Sequence, residues 1–220
     1  MPVSTLWHPV VPARALRAGD NVLACTVIGQ DLALWRSANG QVQAWEDRCP
    51  HRGVALSLGR VTGDRLACAY HGWEYAAGTG RCAAIPQLPD IPVPGKVCVR
   101  TFAAREHNGM VWVTLTDSPA TEPAADTITK TWHYLRSMGV RAPLDTVNAH
   151  LPVHGFRATA APLHWQGPLA GQHLQLLTLQ TTATDCLLHI SSDDAPPADA
   201  VAALFGAIRR LRSALQTSRA

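Results

Sequence analysis

At 220 residues, with 47% hydrophobic content and a formal net charge of +3, the chain is long enough for one large domain or two small ones and can bury a core. The charge is too mild to imply a nucleic-acid partner, no run approaches the roughly 18 apolar residues of a membrane span, and Met1-Pro2-Val3-Ser4 lacks the basic and apolar regions of an export signal. The six cysteines do not read as a disulfide framework, which fits a reducing cytoplasm.

In chain order, Trp7-His8-Pro9-Val10 opens a proline-bearing edge segment. Asn21 to Ile28 and Asp31 to Arg36 are apolar, β-branched runs joined at Gly29-Gln30, a hairpin signal. A turn at Ala38-Asn39-Gly40-Gln41 leads into a third strand, Val42 to Glu46. Glu74 to Ala76 and Arg81 to Ile85 form another hairpin around Ala77-Gly78-Thr79-Gly80. Gln87 to Gly95, with Pro89, Pro92 and Pro94, is no regular element. Val97 to Ala104 and Met110 to Thr116 pair across His107-Asn108-Gly109. Cys25, Cys82, Cys98 and Cys186 fall in strand-like contexts as small buried hydrophobes. Ser118 to Asp126 has linker composition. Beyond it, Val140 to Asn148, Phe156 to Trp165, His173 to Thr181 and Asp185 to Ser191 read as strands. After Asp194-Ala195-Pro196-Pro197, the spacing of Val201, Leu204, Phe205, Ile208, Leu211 and Leu215 predicts an amphipathic helix capped by Asp199. The expected organisation is a domain over 1–117, a linker over 118–132 and a second domain over 133–220.

The chemistry concentrates between Cys49 and Trp73. Two loops of like construction, Cys49-Pro50-His51 and Cys68-Ala69-Tyr70-His71, each offer one thiolate and one imidazole. Four such ligands could hold a tetrahedral zinc. Zinc sites, however, draw two ligands from one Cys-x-x-Cys knuckle, whereas here each loop is mixed. A diiron cluster with both Cys on one iron and both His on the other needs two converging loops, each giving one ligand to each iron. Gly53 and Gly72 place small residues where a backbone passes close to sulfide.

This pattern, Cys-x-His followed by Cys-x-x-His-Gly-Trp, resembles the Rieske domain of ring-hydroxylating and demethylating oxygenases such as the vanillate demethylase and phthalate dioxygenase groups. Trp7-His8-Pro9-Val10, Trp45-Glu46-Asp47-Arg48, Tyr75 to Pro86 and Gly109-Met110-Val111-Trp112-Val113 extend the likeness over about the first half of the chain. The resemblance implies a mainly β protein: a Rieske β-sandwich of three small antiparallel sheets, then a short α+β domain with a C-terminal helix. It implies a [2Fe–2S] cluster on Cys49, His51, Cys68 and His71, with Trp73 and Tyr75 packed beside it. Respiratory and photosynthetic relatives carry an extra Cys in each loop. Here Val54 and Ala69-Tyr70 stand there instead, so the expected potential is towards the lower part of the Rieske range.

The family also carries a mononuclear iron on two His and one carboxylate. Asp145-Thr146-Val147-Asn148-Ala149-His150-Leu151-Pro152-Val153-His154 is the nearest match, with three residues between His150 and His154 where the family has four. Asp193, Asp194 or Asp199 could close the triad, but Ala200 to Ala220 contains no Asp or Glu. Two readings follow. One is an electron-transfer protein or subunit taking electrons from a flavin or ferredoxin reductase to a catalytic oxygenase subunit. The other is a compact oxygenase acting on a small aromatic or heterocyclic substrate at its own Fe(II). The resemblance further implies a homo- or hetero-oligomer.

Overall fold

The computed structural model describes residues 5–90, 92–93, 95–117 and 132–217. The chain divides into two compact units, Met1–Thr26 with Gln30–Ala120, and Thr121–Ala220 with Val27–Gly29. The linker expected over 118–132 lies outside the described residues except for Trp132. Among the described residues no helix is long and apolar enough to cross a membrane.

In the first unit the strands are β1 (His8–Pro12), β2 (Val22–Val27), β3 (Gln30–Arg36), β4 (Val42–Glu46), β5 (Arg60–Thr62), β6 (Arg65–Ala67), β7 (Glu74–Ala76), β8 (Cys82–Ala84), β9 (Thr101–His107) and β10 (Met110–Thr114). They form a six-stranded sheet, β1-β10-β9-β4-β3-β2, and a four-stranded sheet, β5-β6-β7-β8. Two of the three expected small sheets join through β9, which pairs with β10 over Ala103–His107 and also meets β4 at Ala44–Phe102 and Trp45–Thr101.

The hairpin turns follow from residue type. Asn108 and Gly109 sit at φ 49° and 73°, the consecutive left-handed pair of a primed turn whose twist matches its strands. The turn expected at Gly29-Gln30 lies one residue earlier: Ile28 and Gly29 take φ 49° and 79°, and Gln30 already belongs to β3. β9 begins later than expected because residues 97–99 are engaged elsewhere. The Cys82 amide donates to the Val97 carbonyl at 2.9 Å, and the Val99 amide to that of Gly80 at 2.8 Å. On that bridging segment Cys98 is exposed, not buried as expected; Cys25 and Cys82 are half-buried and Cys186 is buried.

The core beneath the Cys49 and Cys68 loops contains Ala33, Trp35, Trp45, Leu56, Leu66, Tyr75 and Val99. Trp35 and Trp45 meet edge to face, with centroids 4.9 Å apart, a favourable arrangement of two ring quadrupoles.

The second unit contains β11 (His133–Val140), α1 (Leu144–His150), a 3-10 turn over Leu151–His154, β12 (Arg157–Ala158), β13 (His164–Leu169), β14 (Gln172–Gln180), β15 (Cys186–Ser192) and α2 (Ala198–Thr217). Its five-stranded antiparallel sheet runs β11-β15-β14-β13-β12.

The strand expected over Val140 to Asn148 is a correction. Val140 ends β11, and the β-branched Thr146 and Val147 lie in α1, where buried Leu144, Val147 and Leu151 follow helical spacing. Pro152 does not break a strand or a helix. It stands in the first turn of the 3-10 segment, where its missing N–H costs nothing, and Gly155 at φ 84° ends the turn. The expected strand Phe156 to Trp165 splits into β12 and the start of β13. Asp199 lies in the first turn of α2 rather than capping it. From α2, Leu204, Ile208, Leu211 and Leu215 pack on Met138, Val140, Leu174, Leu176, Leu188 and Ile190 of the sheet.

Buried His164 is satisfied as the neutral ring. Its Nε2 lies 3.4 Å from Gln166 Nε2, which donates to it, and its Nδ1–H can donate to Thr159 Oγ1 at 3.0 Å. Burial pushes its pKa down from the ordinary value to about 4. Between that value and the ordinary one of about 6.5, the unfolded chain binds more protons than the folded one. This part of the stability is therefore complete above the ordinary pKa and is lost as pH falls towards 4. Thermal melts across this window should show a falling Tm, and His164→Asn should flatten the fall; an equal fall in the variant would refute the assignment.

Candidate metal centre

Each of the two loops is closed by the same pair of backbone hydrogen bonds. In the first, the Cys49 amide donates to the Val54 carbonyl at 2.8 Å and the Gly53 amide returns to the Cys49 carbonyl at 2.8 Å. In the second, the Cys68 amide donates to Trp73 at 2.9 Å and the Gly72 amide to Cys68 at 3.0 Å. In both, the residue four beyond the cysteine is a glycine in the left-handed region, Gly53 at φ 76° and Gly72 at φ 69°. That conformation costs a residue with Cβ about 1–2 kcal/mol. Glycine therefore serves the loop turn as well as the close approach expected from sequence.

The stems are rigid. The first loop follows β4, and Asp47 accepts from both the Ser57 amide and the Ser57 hydroxyl at 2.6 Å, which ties it to the 3-10 turn Leu56–Leu58. The second loop joins β6 to β7, paired at Ala67–Glu74 and Leu66–Tyr75. Gln87 Nε2 donates to the His71 carbonyl at 2.8 Å. The contacts of Asp47 and Gln87 carried no signal in the sequence, because a polar side chain beside a motif does not reveal which group it reaches.

This framework sorts the side chains by depth. Cys49 and Cys68 are 3% and 2% exposed, while His51 and His71 are half-buried. The imidazoles lie 4.8 Å apart between centroids. Trp73 stacks on His51 at 4.1 Å with the planes 8° apart, and Tyr70 covers His71 at 3.7 Å. The Tyr75 hydroxyl reaches Cys49 Sγ at 3.1 Å.

The electrostatics follow from this burial. Desolvation pushes the Cys68 thiol up, reinforced by the adjacent Cys49 and opposed by the backbone N–H groups of Tyr70 and His71. The Tyr75 phenol is pushed up by desolvation and then by Cys49, so it stays a donor. His51 is held below the ordinary imidazole range by desolvation, then by His71 and Arg52, which leaves a neutral ring with a lone pair for a metal. Soft thiols inside and imidazoles outside are the donor set of a mixed iron–sulfur centre. Among the described residues no three of His, Cys, Asp and Glu converge on one ion. The four loop residues form a thiol pair and an imidazole pair instead, which fits two metal ions with two protein ligands each.

The second histidine pair is placed differently. His150 ends α1 with Nδ1 at 2.8 Å from the Thr146 carbonyl, and His154 lies in the 3-10 turn, so neither sits in a loop between strands. His154 lines a cavity of about 370 Å³ with Leu169, Ala170, Ala207, Arg210, Leu211 and Ala214. Its one charged side chain besides the histidine is Arg210 of α2, and among the described residues no acidic residue lines it.

Residues 6–102 match the family model described as Rieske [2Fe-2S] domain. The chain is 45% identical over 113 residues to the oxidoreductase NdmD of Pseudomonas putida, covering 51% of this chain and 19% of that protein. It is 36% identical over 108 residues to the 3-chlorobenzoate-3,4-dioxygenase oxygenase subunit of Comamonas testosteroni, covering 49% and 25%. The chain therefore spans about a fifth to a quarter of these curated relatives. The solved structure of NdmA from Pseudomonas putida CBB5 superposes with a TM-score of 0.75 at 20% identity, over 98% of this chain and 82% of that one. That likeness extends the shared fold to the second unit.

Gly59, between the two loops, tests the framework. A Cβ there would meet the Ala67 carbonyl and lie 2.9 Å from the Leu56 carbonyl. Gly59→Ala should cost about 1–3 kcal/mol, as overpacking does, and lower the iron bound per chain. Denaturant melts and metal analysis check both; unchanged iron and stability would show that the approach of Gly59 to Ala67 is not needed.

Proposed function

Residues 6–102 are a Rieske [2Fe–2S] domain, and from that premise we propose that the chain is the electron-transfer component of an oxygenase system, with Cys49 and Cys68 holding one iron and His51 and His71 the other. The cluster, when bound, supplies a one-electron carrier. The protein's part is to place, shield and tune it. Tyr75 donates its hydroxyl hydrogen to the Cys49 sulfur, which favours the more negative, reduced state. Trp73 fixes the plane of His51 by stacking, and Tyr70 lies over the His71 ring. The two rings are only half-buried, which leaves a redox partner a way to approach them.

The donor is a flavin or ferredoxin reductase, and the acceptor is a mononuclear-iron oxygenase subunit. The setting is the cytoplasm. The observation that carries this reading is the contrast between the two histidine pairs: one lies in a set of four soft and borderline donors, whereas His154 of the other lines a cavity with Arg210. A compact oxygenase is the second reading. It is favoured by the His150 hydrogen bond to Thr146, of the kind that orients a ligating imidazole.

Iron and sulfide analysis of anaerobically purified protein separates the two. Two irons and two sulfides per chain with only a Rieske EPR signal support the carrier; a further iron giving a high-spin signal with nitric oxide supports the oxygenase. Tyr75→Phe should keep its cluster and lower the midpoint by tens of millivolts, the equivalent of about 1 kcal/mol in a one-electron couple. Redox titration checks this, and an unchanged midpoint would remove Tyr75 from the tuning.

A further inference from the structure

The second unit carries a cluster of cations at the edge of its sheet. A cavity of about 180 Å³ is lined by Arg136, Ser137, Met138 and Gly139 of β11 and by Ile208, Arg209 and Arg212 of α2. Successive residues of a strand face opposite ways, so a cavity touching four in a row runs along the strand's edge. β11 is the terminal strand of its sheet, paired with β15, and its other edge has no strand partner among the described residues. Arg209 and Arg212 are three residues apart and share one side of α2. The Arg136 guanidinium lies 5.6 Å from the Phe205 ring centroid of the same helix.

None of these arginines forms an ion pair among the described residues, and Ala200 to Ala220 offers no carboxylate. Ser137 is not free to serve the cavity: its hydroxyl is 2.6 Å from the Tyr134 hydroxyl and 2.7 Å from His189 Nδ1. What the cavity presents is guanidinium charge beside a backbone edge that has no strand partner among the described residues.

We propose that this groove docks an extended acidic segment of a partner protein. The segment's backbone adds to the edge of β11, and its carboxylates meet Arg136, Arg209 and Arg212. Strand addition supplies affinity through main-chain hydrogen bonds, and the guanidiniums supply selection for acidic side chains. A second copy of this chain is disfavoured on the same edge, because it would bring a second set of arginines against the first. The inference goes beyond the electron-transfer reading and does not depend on it.

The test uses the full holoprotein and a short capped peptide alternating glutamate and valine, followed by calorimetry and by amide hydrogen exchange over 133–140. The expected result is binding that weakens with added salt, slower exchange in β11, and an affinity loss of about tenfold or more, roughly 1.4 kcal/mol, in the Arg209→Gln/Arg212→Gln variant. Both side chains are exposed, and Arg136→Gln provides a second, independent variant should the first melt early. Equal binding of a glutamine-for-glutamate peptide, unchanged exchange in β11 with peptide bound, or the same protection from sulfate alone would each overturn the proposal.

Discussion

The reciprocal hydrogen bonds that close the two loops are the constraint on which the candidate centre depends. Each loop spends the amide and carbonyl of its cysteine on the residues four and five ahead, which is possible only because Gly53 and Gly72 enter the left-handed region. With the backbone pinned in this way, each cysteine points into the core and each histidine stays near the surface. The same turn, used twice, produces a thiol pair and an imidazole pair. Burial then does the chemical sorting, keeping the phenol of Tyr75 a donor towards sulfur and His51 neutral.

The surrounding sheets hold this geometry in place. The second loop is a hairpin of the four-stranded sheet and takes its rigidity from β6 and β7. The first hangs from β4 in the six-stranded sheet and is tied by Asp47 to Ser57. Gly59 lets the connecting segment pass against the carbonyl just before Cys68. The second unit is organised by a different rule, an amphipathic helix on one face of an antiparallel sheet. Its polar attachments are basic: Arg210 beside His154, and Arg209 and Arg212 beside Arg136. These are surroundings that attract anions.

Much of this was legible in the sequence. The two like loops with their spacing, the glycines, β4 and the Asn108-Gly109 turn could be read because each rests on a local rule linking residue type to conformation. Trp73 and Tyr75 could be placed beside the centre, but not their contacts, since ring stacking on His51 and the bond to Cys49 are tertiary. The start of the second unit was misread for a physical reason. Thr146 and Val147 have strand propensity, yet burial of Leu144, Val147 and Leu151 at helical spacing outweighs it. Pro152 stands in the first turn of the 3-10 segment that follows. Cys98 shows the limit of reading apolar context as burial, because its segment bridges strands at the surface.

The most direct measurement is pulsed EPR of the reduced protein grown with 15N-histidine. Couplings from two inequivalent histidine nitrogens, reduced to one or abolished in His71→Cys, are the predicted result for the division of Cys49 and Cys68 from His51 and His71. A reduced cluster without histidine nitrogen couplings, or a colourless zinc protein, would contradict it.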